Sequence, residues 1–335
     1  MSVHADSVLL ADVGGTNVRF ALADPTRAEP LIADSIRRYR VVDFATFTDA
    51  ALAYLDAIGV KPQHGVFAFA GQIRDGEVQV TNHVWKVSRE DVRADLGFVS
   101  LHFVNDFAAM SLSVPLLRAT DLRAIGTPPA PALDGLKART FAVIGPGTGL
   151  GVGALLLRDG RPFALETEGG HTSFAPRTDE EIEVLRRLTA RFGRVSNERL
   201  MCGSGLSNLH EALGEIHGTF EERLPPEEIT RRAGTGEPFC VRAVEAFCEL
   251  LGAAAGDFVL AFGAWDGAYL AGGLTPLLLP WLERGGFRRR FEDKGRFADA
   301  IVHIPSVAIL HPDAGLLGAA AYALADSGRL LTRAP

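Results

Sequence analysis

Ser7-Val-Leu-Leu-Ala-Asp-Val-Gly-Gly-Thr-Asn-Val-Arg-Phe-Ala-Leu22 is the stretch that decides the fold. Ser7 to Ala11 is a short apolar strand that runs into a carboxylate, Asp12, and from Val13 onward strand-like alternation resumes around Gly14-Gly15. A strand, an Asp, a Gly-Gly turn and a second strand read as a β-hairpin. Adjacent glycines allow positive φ and let backbone N–H groups approach a ligand with no Cβ in the way. Successive N–H groups in a turn form an anion-binding nest. Thr16 adds a hydroxyl, and Asp12 beside a phosphate nest suits a magnesium ion held through water. The plainer alternative is a Gly-Gly hairpin without a ligand, and Gly-Gly alone favours it. The string Asp-x-Gly-Gly-Thr-Asn with Arg19 is more specific. No G-x-x-x-x-G-K-[ST] occurs, so this is not a P-loop, and the glycines do not form G-x-G-x-x-G before a helix, so it is not a Rossmann fingerprint.

Working outward, a second glycine element occupies Phe141-Ala-Val-Ile-Gly-Pro-Gly-Thr-Gly-Leu-Gly-Val-Gly-Ala-Leu155, with glycine at every second position from Gly145 to Gly153. Every second residue of an extended chain faces the same side. The element reads as a hairpin with one bare face around a turn at Pro146 to Gly149, and a bare face admits a ligand or another backbone. Gly147 and Thr148 would sit at the turn as a second phosphate nest. Two such hairpins, in separate halves, look like a phosphate clamp closing from both sides.

Between the hairpins lies Leu101-His-Phe-Val-Asn-Asp-Phe-Ala-Ala-Met110. An apolar run from Phe98 to Val104 delivers Asn105 and Asp106 to the carboxyl end of a strand, where α/β sheets place ligands. A helix pattern from Phe107 to Leu117 follows. Asn donates and accepts while ionised Asp accepts, so the pair suits a polyol. An ionised Asp106 can also take the proton of an attacking hydroxyl. With an ordinary pKa of about 3.9 it would be ionised at pH 7 without activation. The alternative is that Asp106 merely caps the helix.

The remaining elements frame these stretches. Asp43 to Gly59 carries helical apolar spacing, Gly65 to Ala70 and Val78 to Val80 read as strands, and Ser88 opens a short helix. The order up to Asp106 is β-β-(β)-α-β-β-α-β-α, a self-contained α/β domain. Prolines 115, 128, 129 and 131 with Gly126 and Gly135 mark the crossing into a second domain. Glu168 and His171 flank Gly169-Gly170, in a loop that either turns both side chains toward one ligand or leaves them solvated. Ser196-Asn-Glu198 opens a further helix, where the residues alone favour a helix-dipole role for Glu198 over a ligand contact. Helices follow at 204–218, 226–233 and 238–261, the last with the small-sided run Leu251-Gly-Ala-Ala-Ala-Gly256, which implies close packing. Gly267 to Gly273 is a buried strand whose Gly272-Gly273 end either receives a purine or ribose or turns the chain. A last strand, Ile304 to His311, precedes a small-sided helix from Ala314. No repeat stands out by residue identity.

Composition narrows the class further. A chain of 335 residues with 47% hydrophobic and 22% charged residues has the material for two domains and a sizeable core. A net charge of -7 disfavours a broad nucleic-acid surface. Arg288-Arg289-Arg290 reads as a solvated face or as salt-bridge partners. Cys202, Cys240 and Cys248 are too scattered for a disulfide framework or a zinc knuckle and read as reduced thiols of a cytosolic protein. The amino terminus shows no signal-peptide pattern. The longest charge-free run, Gly267 to Leu282, is too short and broken to span a membrane.

Taken in order, Ala11-Asp-Val-Gly-Gly-Thr-Asn17, Thr81-Asn-His-Val-Trp85, Asn105-Asp-Phe107, Gly145-Pro-Gly-Thr-Gly-Leu-Gly151, Glu168-Gly-Gly-His171, Ser196-Asn-Glu-Arg199, Ala271-Gly-Gly273, Phe291-Glu-Asp-Lys-Gly-Arg-Phe297 and Gly315-Leu-Leu-Gly318 resemble the bacterial glucokinase family. This is the group of the sugar-kinase/heat-shock-protein/actin superfamily without the cysteine–zinc motif. The match covers nearly the whole chain. Ala11, Pro146 and Phe69-Ala70-Gly71 depart from the family pattern. The resemblance implies an α/β, two-domain actin-like ATPase (ribonuclease H-like) fold with an interdomain cleft, divided as 1–116 plus 311–335 and 117–310. It implies ATP, magnesium, glucose as substrate and glucose 6-phosphate as product. It also implies a cytoplasmic homodimer without nucleic-acid or membrane partners.

Carried over by position, Asn105, Asp106, Glu168, His171 and Glu198 would hold the hexose, which overturns the dipole reading of Glu198, and Asp106 would be the catalytic base. Ala11, Asp12, Val13, Gly14, Gly15, Thr16, Gly147 and Thr148 would hold phosphates, with Asp12 toward magnesium, and Gly272 and Gly273 would approach the adenosine. A kinase of another hexose or amino-hexose is the first alternative. A sugar-binding regulator is the second, disfavoured because the first strand starts too early for a DNA-binding extension.

Overall fold

The computed structural model describes residues 7–81, 83–131, 138–219 and 222–328. Asn82 of the Thr81–Trp85 motif lies outside them, as do the two ends of the expected smaller domain and residues 132–137 of the expected crossing.

Strands β1 (Val8–Val13) and β2 (Asn17–Ala23) form the expected hairpin, with Val13 opposite Val18. Strand β3 (Leu31–Arg40) extends it. Helix α1 (Phe47–Ile58) begins at a capping box between Thr46 and Asp49 and ends at Gly59, whose φ of 73° few other residues adopt. It leads to β4 (His64–Phe69), parallel to β1. A small separate sheet of β5 (Ile73–Arg74), β6 (Glu77–Gln79) and β7 (Lys86–Ser88) follows. At two or three residues each, these strands are too short for periodicity to mark, and only β6 was expected. Helix α2 (Arg89–Asp95) precedes β8 (Ser100–Asn105), parallel to β4, and α3 (Asp106–Ser113) leaves its end. The sheet order is β3-β2-β1-β4-β8.

The second half repeats the plan. After an edge strand, β9 (Leu122–Ala124), strands β10 (Arg139–Pro146), β11 (Leu150–Arg158) and β12 (Arg161–Thr167) form an antiparallel meander. Helices α4 (Asp179–Phe192), α5 (Gly203–Ile216), α6 (Pro226–Gly234) and α7 (Pro238–Phe262) lead to β13 (Gly267–Leu270), parallel to β10. Helices α8 (Leu274–Leu282), α9 (Gly286–Glu292) and α10 (Ala298–Ile301) lead to β14 (Ser306–Ile309), parallel to β13, and α11 (Ala314–Asp326) follows. The order is β12-β11-β10-β13-β14-β9. Without β9 it is the order of the first sheet, so the halves share a topology that residue identity does not reveal.

Helix α11 lies between the sheets. Leu316, Ala319, Ala320 and Ala323 pack with Val8, Leu10 and Val66 of the first sheet. Leu317, Ala321 and Leu324 pack with Phe141, Tyr269 and Val307 of the second. Alanine-rich faces let one helix be buried on both sides. Gly318 meets the backbone of Ala109 so closely that a Cβ would collide with it, which seats α11 against α3. In α7, Gly252 and Gly256 receive the backbone of Phe287 and Phe291, as the small-sided run implied. Cys240 and Cys248 are buried on the same helix, and Cys202 is buried ahead of α5.

Of the two readings of the arginine run, the salt-bridge one holds: Arg288 pairs with Glu292, Arg289 with Glu249 and Arg290 with Glu181. Arg288 is buried and donates to the carbonyls of Ile304 and Val302, and Arg290 pairs with Glu181 at 2.8 Å; Arg289 alone is exposed. Among the described residues no helix is long and apolar enough to cross a membrane.

Candidate active site

The candidate residues gather at the carboxyl ends of β1, β8, β10, β12 and β13, the end at which α/β sheets bind ligands. At the β8–α3 junction the cap is Asn105, not Asp106. Its Oδ1 accepts the amides of Phe107 at 2.9 Å and Ala108 at 3.1 Å, and its Nδ2 donates to the Gly71 carbonyl at 3.4 Å. The oxygen of Asn105 is thereby committed, and its amide hydrogens are what remains for a hydroxyl.

Asp106, relieved of capping, opens α3 and accepts the Phe107 amide at 2.9 Å. Burial, and then the negative charge of Asp12, push its carboxyl up to about 7, with Glu168 adding less and the Phe107 amide opposing. The expectation of a carboxylate at its ordinary pKa is therefore corrected. Near pH 7 the ligand-free protein holds Asp106 partly protonated, because desolvation disfavours the charged form.

In the first hairpin the Gly14 amide donates to the Asn17 carbonyl and the Val41 amide to the Thr16 carbonyl, both at 3.0 Å. Among the described hydrogen bonds none engages the amides of Gly15 or Thr16. Ala11 and Val13 are buried strand residues on either side of Asp12. Asp12 pairs with Arg19 at 3.3 Å, and burial raises its pKa while Arg19 opposes. The start of α11 covers it: a Cβ on Gly315 would lie 2.8 Å from Asp12 Oδ2. One carboxylate beside open amides fits magnesium, which keeps several waters and takes one or two carboxylates along with substrate phosphates. Among the described residues no group of three or more His, Cys, Asp or Glu side chains forms a metal cage.

The second hairpin turns at Gly147 to Gly149. The Gly147 amide donates to the Gly149 carbonyl at 2.8 Å, and the Gly203 amide at the start of α5 donates to the Gly147 carbonyl at 2.9 Å. The amides of Thr148 and Gly149 take part in none of the described hydrogen bonds. Gly272, at φ 80°, lies against the Pro146 carbonyl, while Gly273 has open space where a Cβ would stand and its amide lies 3.9 Å from the Cβ position of Gly147. The tight turn thus accounts for Gly272, and Gly273 is left facing space beside the hairpin.

The bare glycine face receives backbone at one part, where the Leu165 carbonyl lies 3.2 Å from the Cβ position of Gly153, and a side chain at another. The ring of Phe107 from α3 fills it at Gly145 and Gly151.

Glu168 and His171 flank a 3-10 turn after β12, whose Gly170 packs on the Leu150 carbonyl with no room for a Cβ. His171 Nε2 lies 3.9 Å from Glu168, and its Nδ1 lies 3.8 Å from Glu198. Glu168 and His171 are on the open rim at 74% and 56% exposure, and Glu198 is deeper at 31%. Ser196 to Glu198 opens no further helix. Asn197–Arg199 is one 3-10 turn and α5 starts at Gly203, so no helix dipole acts on Glu198. Its Oε2 instead accepts the Leu150 amide at 3.0 Å, just past the second hairpin's turn.

The three polar residues thus come together, and Asp106 feels the charges of both Asp12 and Glu168. No described hydrogen bond or ion pair joins the tips of the two hairpins. Sequence reasoning missed Gly315 and the Phe107 ring; the glycine alternation was the signal for Phe107, and it was read as room for a ligand or another backbone.

The profile of the family described as Glucokinase matches residues 9–326. A glucokinase from Xanthomonas euvesicatoria pv. vesicatoria (strain 85-10) is 53% identical over 327 residues, 97% of each chain. A crystal structure of a glucokinase from an Antarctic psychrotroph matches with a TM-score of 0.84 at 32% identity, covering 96% of this chain and 99% of that one. A glucokinase of the ROK family from Streptomyces griseus, solved in complex with glucose and AMPPNP, shares the fold at a TM-score of 0.64 and 18% identity, over 94% of this chain and 98% of that one.

Proposed function

The chain belongs to the glucokinase family, and from that premise we propose how its cleft phosphorylates D-glucose with ATP to D-glucose 6-phosphate. Asp106 is the general base. The observation that carries this role is its position: a carboxyl at the end of β8, freed from capping by Asn105, held by the Phe107 amide, and raised to about 7. A base works best with a pKa near the operating pH. Phosphoryl transfer asks mainly for positioning and charge stabilisation, with one group to take the alcohol's proton.

Asn105, Glu168, His171 and Glu198 hold the sugar hydroxyls. The open amides of Gly15, Thr16, Thr148 and Gly149 receive phosphate oxygens, and Gly273 gives the adenosine room. Asp12 is the residue that would hold a magnesium ion, which would supply charge neutralisation on the phosphates. A fold neighbour solved with both glucose and an ATP analogue supports placing sugar and nucleotide in one cleft. The lobes, taken as 1–116 with 311–335 and as 117–310, close on glucose and exclude water. We take the protein to work as a cytoplasmic homodimer, a reading that the family resemblance supports.

The test is ADP release with ATP and magnesium across a panel of hexoses, with Asp106→Asn as the blank. Glucose should turn over strongly and the variant should lose roughly 10²–10⁴-fold in kcat, the usual worth of a general base. Turnover mainly on another hexose would move the substrate, and an active variant would remove Asp106 from its role.

A further inference from the structure

The Phe107 ring is the part of the Asn105-Asp106-Phe107 stretch that the chemistry above leaves unused. It projects from the first turn of α3 onto the second hairpin, where Gly145 and Gly151 face each other across β10 and β11. A Cβ on Gly145 would stand 2.5 Å from the ring's Cζ, and one on Gly151 would overlap Cδ2 and Cε2. Gly153 is next along, 3.7 Å from Cδ1 by the same construction, and its neighbour is Ser111, whose hydroxyl donates to the Phe107 carbonyl at 2.9 Å. The alternating glycines therefore make a socket, and the ring fills it.

The backbone of the same residue holds the site. The Phe107 amide lies 2.9 Å from both Asp106 Oδ1 and Asn105 Oδ1. The turn of the socketed hairpin, two residues beyond Gly145, carries Gly147 and Thr148.

We propose that Phe107 is a positioning residue: its ring, locked in the glycine socket, fixes Asp106 relative to the nucleotide hairpin. The inference rests on the reading of Asp106 as the base and of Gly147–Gly149 as a phosphate element. A ring has only two side-chain torsions, and a socket without Cβ atoms contacts it on backbone, which gives little when pushed. A shift of about 1 Å between reacting groups is enough to cost roughly 100-fold in rate.

The decisive set is Gly145→Ala, Phe107→Leu and the two together. A methyl on Gly145 clashes with the ring tip, Cζ and Cε2, which leucine lacks, and meets the Ala271 carbonyl carbon only at an ordinary 3.4 Å, so the pair restores the fit. Gly145 carries no positive φ, so alanine brings no backbone strain. Gly145→Ala should lower kcat roughly 10- to 100-fold, with the KM for glucose moving less than about threefold, the split expected when only the reacting geometry shifts. Phe107→Leu in that background should recover most of the lost kcat. Normal turnover in Gly145→Ala, or a double variant no better than it, overturns the inference. Should Gly145→Ala fail to fold, Phe107→Leu alone decides: reduced kcat at unchanged KM supports the joint, and wild-type kcat overturns it. Asp106→Asn run in parallel separates the two readings, since an active Asp106→Asn faults the base and not the socket.

Discussion

Asp106→Asn should make the protein more stable while it lowers kcat by the roughly 10²–10⁴-fold of a lost general base, and the gain should depend on pH. In the folded chain burial and the charges of Asp12 and Glu168 lift the Asp106 carboxyl from 3.8 to about 7. Folding therefore favours the neutral form. Its stabilising contribution is complete below the unfolded value, is lost as pH rises through the folded one, and is gone above it. Each unit corresponds to about 1.36 kcal/mol, so the raised carboxyl costs the fold about 1.7 kcal/mol at pH 5, where only the unfolded chain ionises, and about 4 kcal/mol at pH 8, where both do, as a ceiling. Asparagine stays neutral throughout and keeps an oxygen for the Phe107 amide. The stability difference between variant and wild type should therefore widen by roughly 2.5 kcal/mol between those pH values. Urea unfolding of both proteins at pH 5, 6.5 and 8, without glucose or nucleotide, measures it. A variant less stable at pH 8, or a gap that does not change with pH, would refute the argument that burial and like charge hold this carboxyl up.

Three further outcomes follow from the same geometry. The kcat/KM for glucose should fall about tenfold per unit below pH 7, because the free enzyme's base must lose its proton; a flat profile down to pH 5 would set aside either the base or its raised pKa. Glu198→Ala should weaken ADP binding severalfold even without sugar, because Glu198 holds the Leu150 amide at the second hairpin, whereas Glu168→Ala should spare ADP and weaken glucose; calorimetric titration of each ligand separates them. Gly315→Ala places a methyl against the Asp12 carboxylate and should raise the KM for magnesium-ATP by roughly tenfold while leaving glucose binding near normal; an unchanged nucleotide KM would mean that Asp12 tolerates displacement.

The hairpins and the strand–helix junction at Asn105-Asp106 were legible because they depend on local signals: glycine pairs, alternation and an apolar run ending in polar residues. Helices α1 and α2, marked by their cap residues, were legible for the same reason. What the sequence hid was set by distance in the chain. The charge of Asp12 reaches Asp106 across the sheet, so the raised pKa is invisible to local pattern. The Leu150 amide finds Glu198 forty-eight residues away, which turned an apparent dipole residue into a hairpin tether. Arg288 and Arg290 lost their solvated reading because their carbonyl and carboxylate partners come from other elements.

The shared topology of the halves explains how the two hairpins are braced. In each half a helix leaves the fifth strand of the common order: α3 after β8 and α11 after β14. Each sends the second residue of its first turn to the hairpin of the other half. For α3 that residue is Phe107, large, resting on glycines; for α11 it is Gly315, small, resting under the Asp12 carboxylate. The two contacts are the same joint with knob and socket exchanged. Helices α3 and α11 also press on each other at Gly318 and Ala109, so neither joint is free to move without loading the other. A lobe motion that shifts one hairpin must therefore shift the second, and Asp106, at the root of α3, travels with both. In the proposed mechanism closure over the sugar and alignment of the base become one event, carried by two positions, Phe107 and Gly315, that touch neither substrate.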